Sequence, residues 1–368
     1  MTCYRWLKPL LYGLPAEYAH HIAIAALRLH LVPKQGAILL PRLSTTLWKK
    51  TFTSPIGLAA GFDKDGIALS GLSEQGFGFI EAGTVTLRPQ PGNPPPRLYR
   101  LTEDEAIINR MGFNNKGSTA MLRRLYDFQH RPCIIGVNIG INKDCKNPFS
   151  DYARLIRMFA PVADYITINI SSPNTAGLRE LQQPDSFLQL LQVAKEQLND
   201  LPVAIRCPVL VKISPDLTPP ELEKIVIQAV EMKIDGLIIS NTTIDEREHL
   251  RSMHAHEKGG LSGKPLMERS TGVLKTAYAL SKGKIPLIGV GGITSGADAY
   301  RKIRAGASLV QLYSALIFRG FALIPLIHQE LDALLEQDGF SHISEAVGID
   351  AHENIDKKPR AKQPKIKS

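Results

Sequence analysis

The chain predicts a closed (β/α)8 (TIM) barrel preceded by a small N-terminal two-helix extension, and three observations carry that expectation. Eight short apolar, β-branched runs recur beyond Pro55, at 56–60, 77–82, 133–139, 165–170, 209–213, 236–240, 286–290 and 308–312. Segments of helical periodicity separate most of them, for instance 149–159, 185–198, 221–232, 272–280 and 297–305. The units together occupy roughly 260 residues, close to the length typical of a parallel barrel of eight strands. A doubly wound open sheet is the competing architecture, but the dinucleotide fingerprint is missing after the first run.

Composition narrows the function classes. At 368 residues, 44% hydrophobic and 21% charged, the chain has the make-up of an ordinary globular protein with a sizeable core. Its net charge of +9 is uneven. The stretch 351–368 carries Lys357, Lys358, Arg360, Lys362, Lys365 and Lys367 against Glu353 and Asp356, so it supplies about +4 of that charge. We read 350–368 as a basic, disordered tail; no aromatic side chain is interleaved with its charges, and no nucleic-acid partner is expected. Cys3, Cys133, Cys145 and Cys207 lie far apart without a Cys-x-x-Cys pair, which argues for free thiols and against a disulfide framework or a metal site. The N-terminus lacks a secretory signal and an Arg- and Ser-rich leader.

Residues 1–34 read as two short helices. Tyr4, Trp6, Leu7, Leu10, Leu11 and Leu14 share the first with Arg5 and Lys8, and Pro15 suits the start of the second. Such a pair either dips into a membrane surface or caps the core beneath it. The barrel then occupies 35–340. Two connections are long for β-α loops, 86–116 and 241–270, and in a barrel enzyme such segments often cover the site. Within the first, 97–101 looks like the hairpin partner of the stretch Ile-Ile-Asn-Arg-Met-Gly-Phe-Asn-Asn at 107–115.

In a parallel barrel the site forms at the carboxyl ends of the strands, so the residues that end each run are the ones to inspect. The runs end in Ala-Ala-Gly-Phe-Asp-Lys (59–64), Gly83-Thr84, Asn138, Asn-Ile-Ser-Ser-Pro-Asn-Thr (169–175), Lys212, Ser-Asn-Thr-Thr (240–243), Gly291-Gly292 and Tyr313-Ser314. Amides and ammonium groups repeated around a ring describe a site for a planar, anionic ligand with many hydrogen-bonding edges. The glycines of 289–293 and the end of the eighth run offer backbone N–H groups where barrel enzymes commonly hold a phosphate. Lys64 and Lys212 are each placed to neutralise an anion or a charge developing on a cofactor ring.

The stretches 59–64, 109–114, 169–175, 240–243, Gly-Gly-Leu-Ser-Gly at 259–263 and 289–293 resemble, in order, the quinone-dependent class 2 dihydroorotate dehydrogenases. The resemblance implies one FMN per chain, oxidation of dihydroorotate to orotate in pyrimidine biosynthesis, and a membrane quinone as second substrate. Ser172 then resembles the catalytic base, with Thr175 and Phe113 bordering its proton path. Lys64, Asn109, Arg110, Met111, Gly112, Phe113, Asn169, Asn174, Asn241 and Thr242 match the orotate-binding positions. Ala60, Gly61, Phe62, Asp63, Lys64, Thr84, Asn138, Asn169, Lys212, Ser240, Gly263, Gly292, Tyr313 and Ser314 match the FMN positions. Arg100 and Tyr313 fall on the quinone side, with helices 1–34 as its entrance at the membrane surface. Serine at position 172, where soluble class 1 members generally carry cysteine, fits the class 2 reading. We expect a monomer attached peripherally to the cytoplasmic face of a bacterial inner membrane, the bacterial part resting on the missing Arg- and Ser-rich leader.

Overall fold

The interior of the barrel dictates its organisation. The computed structural model describes residues 3–35, 40–128, 131–245 and 247–352, and the eight runs read from the sequence form one closed parallel barrel. Its strands are Ile56–Leu58, Phe79–Val85, Ile134–Ile139, Tyr165–Asn169, Val209–Ile213, Gly236–Ile239, Leu287–Val290 and Leu309–Leu312. Each pairs with its sequence neighbours, and the eighth closes on the first with Leu312 opposite Leu58. Helices Pro148–Phe159, Pro184–Asn199, Pro219–Glu231, Met267–Ser281 and Gly296–Arg304 fall where helical periodicity is read. The third of these starts at a reciprocal cap, Thr218 with Glu221, and prolines occupy its first two positions, where no intrahelical N–H is needed.

Alternate strand residues point inward, and at the amino-terminal end they are large and apolar: Phe79, Tyr165, Leu210, Ile288 and Leu309 form one buried cluster. A hairpin of Thr45–Leu47 and Lys50–Phe52 plugs this end. Its Phe52 ring lies 5.5 Å from that of Phe79, and Trp48 6.1 Å from Tyr165. The hairpin escapes a sequence reading because its turn, Trp48-Lys49, holds two bulky residues at φ of 52° and 61°, where Asn-Gly is the usual signal. Room for the rings comes from glycine on the neighbouring strands. A Cβ at Gly136 would sit 2.1 Å from the Tyr165 ring, and one at Gly57 2.3 Å from that of Phe79.

The two long connections meet. Leu98–Leu101 and Ala106–Asn109 form the hairpin read from the sequence, and Gly260–Gly263 of the other connection adds a third antiparallel strand, with Gly260 opposite Asn109. This small sheet stands over the carboxyl end of the barrel. The extension forms two helices, Cys3–Tyr12 and Ala16–Arg28. Ile24 and Leu27 of the second are buried, whereas Trp6, Leu10 and Tyr18 are 77%, 71% and 67% exposed. No helix among the described residues is long and apolar enough to cross a membrane.

One boundary is corrected. Residues 350–352, assigned to the tail, belong to a docked helical turn, Ile349–His352, in which Ala351 is buried and Asp350 pairs with Arg304 at 2.7 Å. An isolated charge count cannot see that partner. The rest of the tail reading, 353–368, lies outside the described residues.

Gly136→Ala is expected to destabilise the protein by about 1–3 kcal/mol through overpacking, read as a lowered midpoint in denaturant. Gly272→Ala, in a helix where nothing lies within 4 Å of the added carbon, is expected to raise the midpoint instead.

Candidate active site

Above the apolar floor the barrel interior turns polar and opens into a cavity under the small sheet. Strand ends supply Ala60, Gly61, Thr84, Asn169, Lys212 and Tyr313, while Ser172 and Asn174 come from the loop after the fourth strand. Ser240, Asn241 and Thr242 follow the sixth strand, Gly292 the seventh and Ser314 the eighth. The hairpin lowers Asn109, Met111, Gly112 and Phe113 onto it, Gly263 comes from the third strand of the sheet, and Lys64 reaches in from the first loop.

The amides are joined. Asn138 lies behind the wall, fully buried, donating Nδ2–H to Glu81 at 2.7 Å and accepting at Oδ1 from Thr84 (2.5 Å) and Asn169 (3.1 Å). The Asn169 Oδ1 in turn accepts from Ser171 Oγ (3.1 Å) and Asn241 Nδ2 (3.2 Å). Asn174 Nδ2 donates to Asn109 Oδ1 at 3.3 Å, tying the strand-four loop to the hairpin. Arg179 fastens the same loop from outside, donating to the Ser171 carbonyl (3.1 Å), the Asp216 carboxylate (3.0 Å) and the Thr242 carbonyl (3.2 Å). Ser172 Oγ accepts the Asn174 N–H at 3.3 Å, and no histidine or carboxylate among the described residues hydrogen-bonds to it.

Two cations face the cavity. Burial pushes the Lys64 ammonium down to about 8, with Glu17 and Asp65 acting in the opposite sense. Burial also lowers the Lys212 pKa, opposed by the charge of Glu81. At the strand-seven and strand-eight ends the wall is largely backbone. Gly292, at φ 79°, leaves no space for a side chain, since a Cβ there would lie 2.4 Å from Met267. Behind it Lys302, fully buried, donates to Ser270 Oγ and Thr271 Oγ1 at 2.8 and 3.0 Å. Burial holds its ammonium down to about 7.

Several residues read from the sequence are not on the cavity wall. Arg110 turns away, bonded to Tyr99 and paired with Glu257 at 2.8 Å. Phe62 packs edge-on against His20 and Tyr313, both at 5.3 Å. The Asp63 carboxylate accepts the backbone N–H groups of Ile67 and Ala68. Thr175 is buried behind Ser172's loop, and Arg100 stacks over the Tyr12 ring at 4.3 Å. Conversely, His20 and Gln311 line the cavity and are absent from the sequence reading, and Ser262, inside a quoted motif but given no role there, lines it too. His20 is packed from a helix remote in sequence, and burial lowers its pKa to about 3, so it is neutral.

A closed barrel with such a cavity at its carboxyl ends defines an α/β-barrel enzyme. Residues 42–335 match the dihydroorotate dehydrogenase model, and the chain belongs to that family. A dihydroorotate dehydrogenase (quinone) of Rhodospirillum rubrum is 49% identical over 347 residues, covering 94% of each chain. One from Rhodopseudomonas palustris is 50% identical over 349 residues, covering 93% of this chain and 94% of its own. The crystal structure of the Eimeria tenella enzyme in complex with ferulenol superposes with a TM-score of 0.88 at 40% identity, covering 93% of this chain and 99% of that one.

The extension is clamped to the site region by Glu17, whose carboxylate accepts from Arg97 Nε (3.1 Å) and Nη2 (2.7 Å). Arg97 also donates to the Pro91 and Asn93 carbonyls. Removing one partner of a largely buried pair strands the other. Glu17→Ala is therefore expected to raise amide hydrogen exchange in 3–28 by about 10-fold or more while leaving the barrel strands protected, as read by exchange mass spectrometry.

Proposed function

We propose that the chain oxidises dihydroorotate to orotate on a bound FMN and passes the electrons to a membrane quinone, as a step of pyrimidine biosynthesis. The observation that carries this reading is the cavity itself, where Ser172, Lys64 and a linked set of asparagines surround one space beneath a glycine-lined end. The residues present fit a flavin mononucleotide. Thr242 Oγ1 and Gln311 Oε1 are buried there without a hydrogen-bond partner, and Gly292 presents bare backbone at the cavity wall, where Met267 admits no Cβ. Gly292 and Ser314 would hold the phosphate, and Thr84, Asn169, Lys212 and Ser240 the ring system. Bound FMN supplies a two-electron acceptor for the hydride that leaves the substrate.

The chain's own groups do the rest. Asn109, Asn174, Asn241 and Thr242 offer the amide and hydroxyl edges that a cyclic imide demands, and Lys64 a cation for its carboxylate. Ser172 Oγ takes the C5 proton. A serine is a weak base with no titration near neutrality, so it depends on a hydrogen-bonded path outward, for which Thr175 and Phe113 are the bordering residues. Lys212, whose ammonium form burial disfavours and the Glu81 charge favours, faces the adjacent ring edge and stabilises negative charge that develops there. Met111 and Gly112 close the substrate side.

The exposed face of the two N-terminal helices, with Trp6, Leu7, Leu10, Tyr18 and Ile22, supports peripheral attachment to lipid; we place the enzyme, as a monomer, at the cytoplasmic face of a bacterial membrane. Arg100 and Tyr313 border the quinone path between those helices and the cavity. The Arg100 Nε is buried without a hydrogen-bond partner, the position of a donor awaiting a carbonyl.

Purified protein is expected to reduce a ubiquinone analogue only when dihydroorotate is present, and turnover that ignores dihydroorotate would refute the reading. Ser172→Ala is expected to keep FMN and slow flavin reduction by about 100-fold or more. Deleting residues 1–34 is expected to spare flavin reduction and abolish quinone turnover. Because the free Lys64 ammonium titrates near 8 and a bound carboxylate raises that value, orotate affinity should be constant below pH 8. Above it, affinity should fall about tenfold per pH unit, since the complex needs a proton the free protein has lost. Orotate titrations from about pH 6.5 to 9.5 read this directly.

A further inference from the structure

Glu81 takes no part in the chemistry above except as a distant counter-charge, yet it is one of the most heavily bonded side chains in the interior. It points inward from the second barrel strand, fully buried, between the apolar floor and the cavity. Its Oε2 accepts from Gln311 Nε2 at 2.8 Å, Tyr165 OH at 3.0 Å and Thr167 Oγ1 at 3.2 Å, and its Oε1 from Asn138 Nδ2 at 2.7 Å. Among the described residues no lysine or arginine lies within ion-pair distance of it. Burying a carboxylate costs several kcal/mol, which converging donors offset.

The chemistry of the acceptor explains its position. The two ends of an asparagine amide have the same shape, so only their partners decide which way the group faces. Three donors converge on Oε2 and Oε1 accepts from Asn138, so Asn138 turns its N–H to Glu81 and its oxygen away from it. That oxygen then calls for donors, which Thr84 Oγ1 and Asn169 Nδ2 provide. Asn169 is thereby left with its own oxygen toward Ser171 and Asn241. The Asn241 oxygen in its turn accepts the Thr242 N–H at 2.8 Å. Every donor in this chain faces the floor, and Glu81 is its terminus.

We propose that Glu81 is a positioning residue that sets the amide orientation of Asn138 and Asn169, and so the pattern of donors and acceptors that Asn169 and Asn241 present to the ligands. This rests on the orotate and FMN reading above. A hydrophobic or uncharged floor would leave the asparagines free to adopt either face, and a ligand with fixed edges would then bind only the fraction turned correctly.

The test is a double-mutant cycle in the FMN-loaded full chain, with orotate affinity read from the shift of the flavin absorbance band. FMN content and melting temperature are measured on the same samples. Glu81→Gln is expected to retain FMN and weaken orotate by about 10-fold, with little further effect in an Asn138→Ala background. An unchanged orotate affinity in Glu81→Gln, or the same loss in both backgrounds, overturns the proposal, the second outcome assigning the effect to charge on Lys212. If Glu81→Gln yields no folded protein, Glu81→Asp keeps the charge and withdraws the oxygen from Asn138, and the same cycle and criteria apply. Failure of the unmodified protein to bind orotate would instead remove the functional reading.

Discussion

The structure depends on how the inside of the barrel is filled. Eight short strands closed on each other leave an interior that must be packed, and here the packing changes character along the axis. At the amino-terminal end, aromatic rings from two strands meet a plugging hairpin, admitted by glycine at 57 and 136. One level higher sit Glu81, Thr167, Lys212 and Gln311, all buried and polar, and above them the cavity opens. A dry floor beneath a charged layer does two things. It excludes water from below, and it makes each charge above it count for more than it would in solvent.

The long connections and the N-terminal extension serve the open end. The long connections after the second and sixth strands join into one small sheet, so Asn109 to Phe113 and Gly263 arrive on a shared, rigid piece rather than on independent loops. The extension is fixed to this piece through Glu17 and Arg97, and it carries His20 to the cavity wall. Its other face is apolar and exposed. A path between a lipid surface and a buried cofactor needs such a geometry, with one element touching both.

The sequence made the periodic parts legible and the tertiary parts less so. All eight strand positions are readable from apolar runs because strands buried on both faces carry no polar alternation to blur them. Lys64, Asn169, Ser172, Lys212 and Asn241 are readable because each sits directly at or after a strand end. Arg110 lies in the same motif as Asn109, yet it follows the strand end, where the next side chain points to the other side and pairs with Glu257. Phe62 and Asp63 likewise belong to a recognisable motif whose conformation directs them into ring packing and into binding the Ile67 and Ala68 N–H groups. His20 and Gln311 have no local signal; they reach the cavity only because the fold brings remote segments together. The strand 260–263 is hidden by its glycines, and Gly260 is needed there because a Cβ would lie 1.9 Å from Thr242 Oγ1.

The proposed function requires a stoichiometric two-electron oxidation of dihydroorotate in this cavity on the protein's own flavin. Anaerobic mixing of the purified, quinone-free protein with one equivalent of dihydroorotate tests it most directly. The flavin band is expected to bleach completely within a single turnover, with one orotate formed per flavin. A flavin that stays oxidised, or bleaching without orotate, would contradict it.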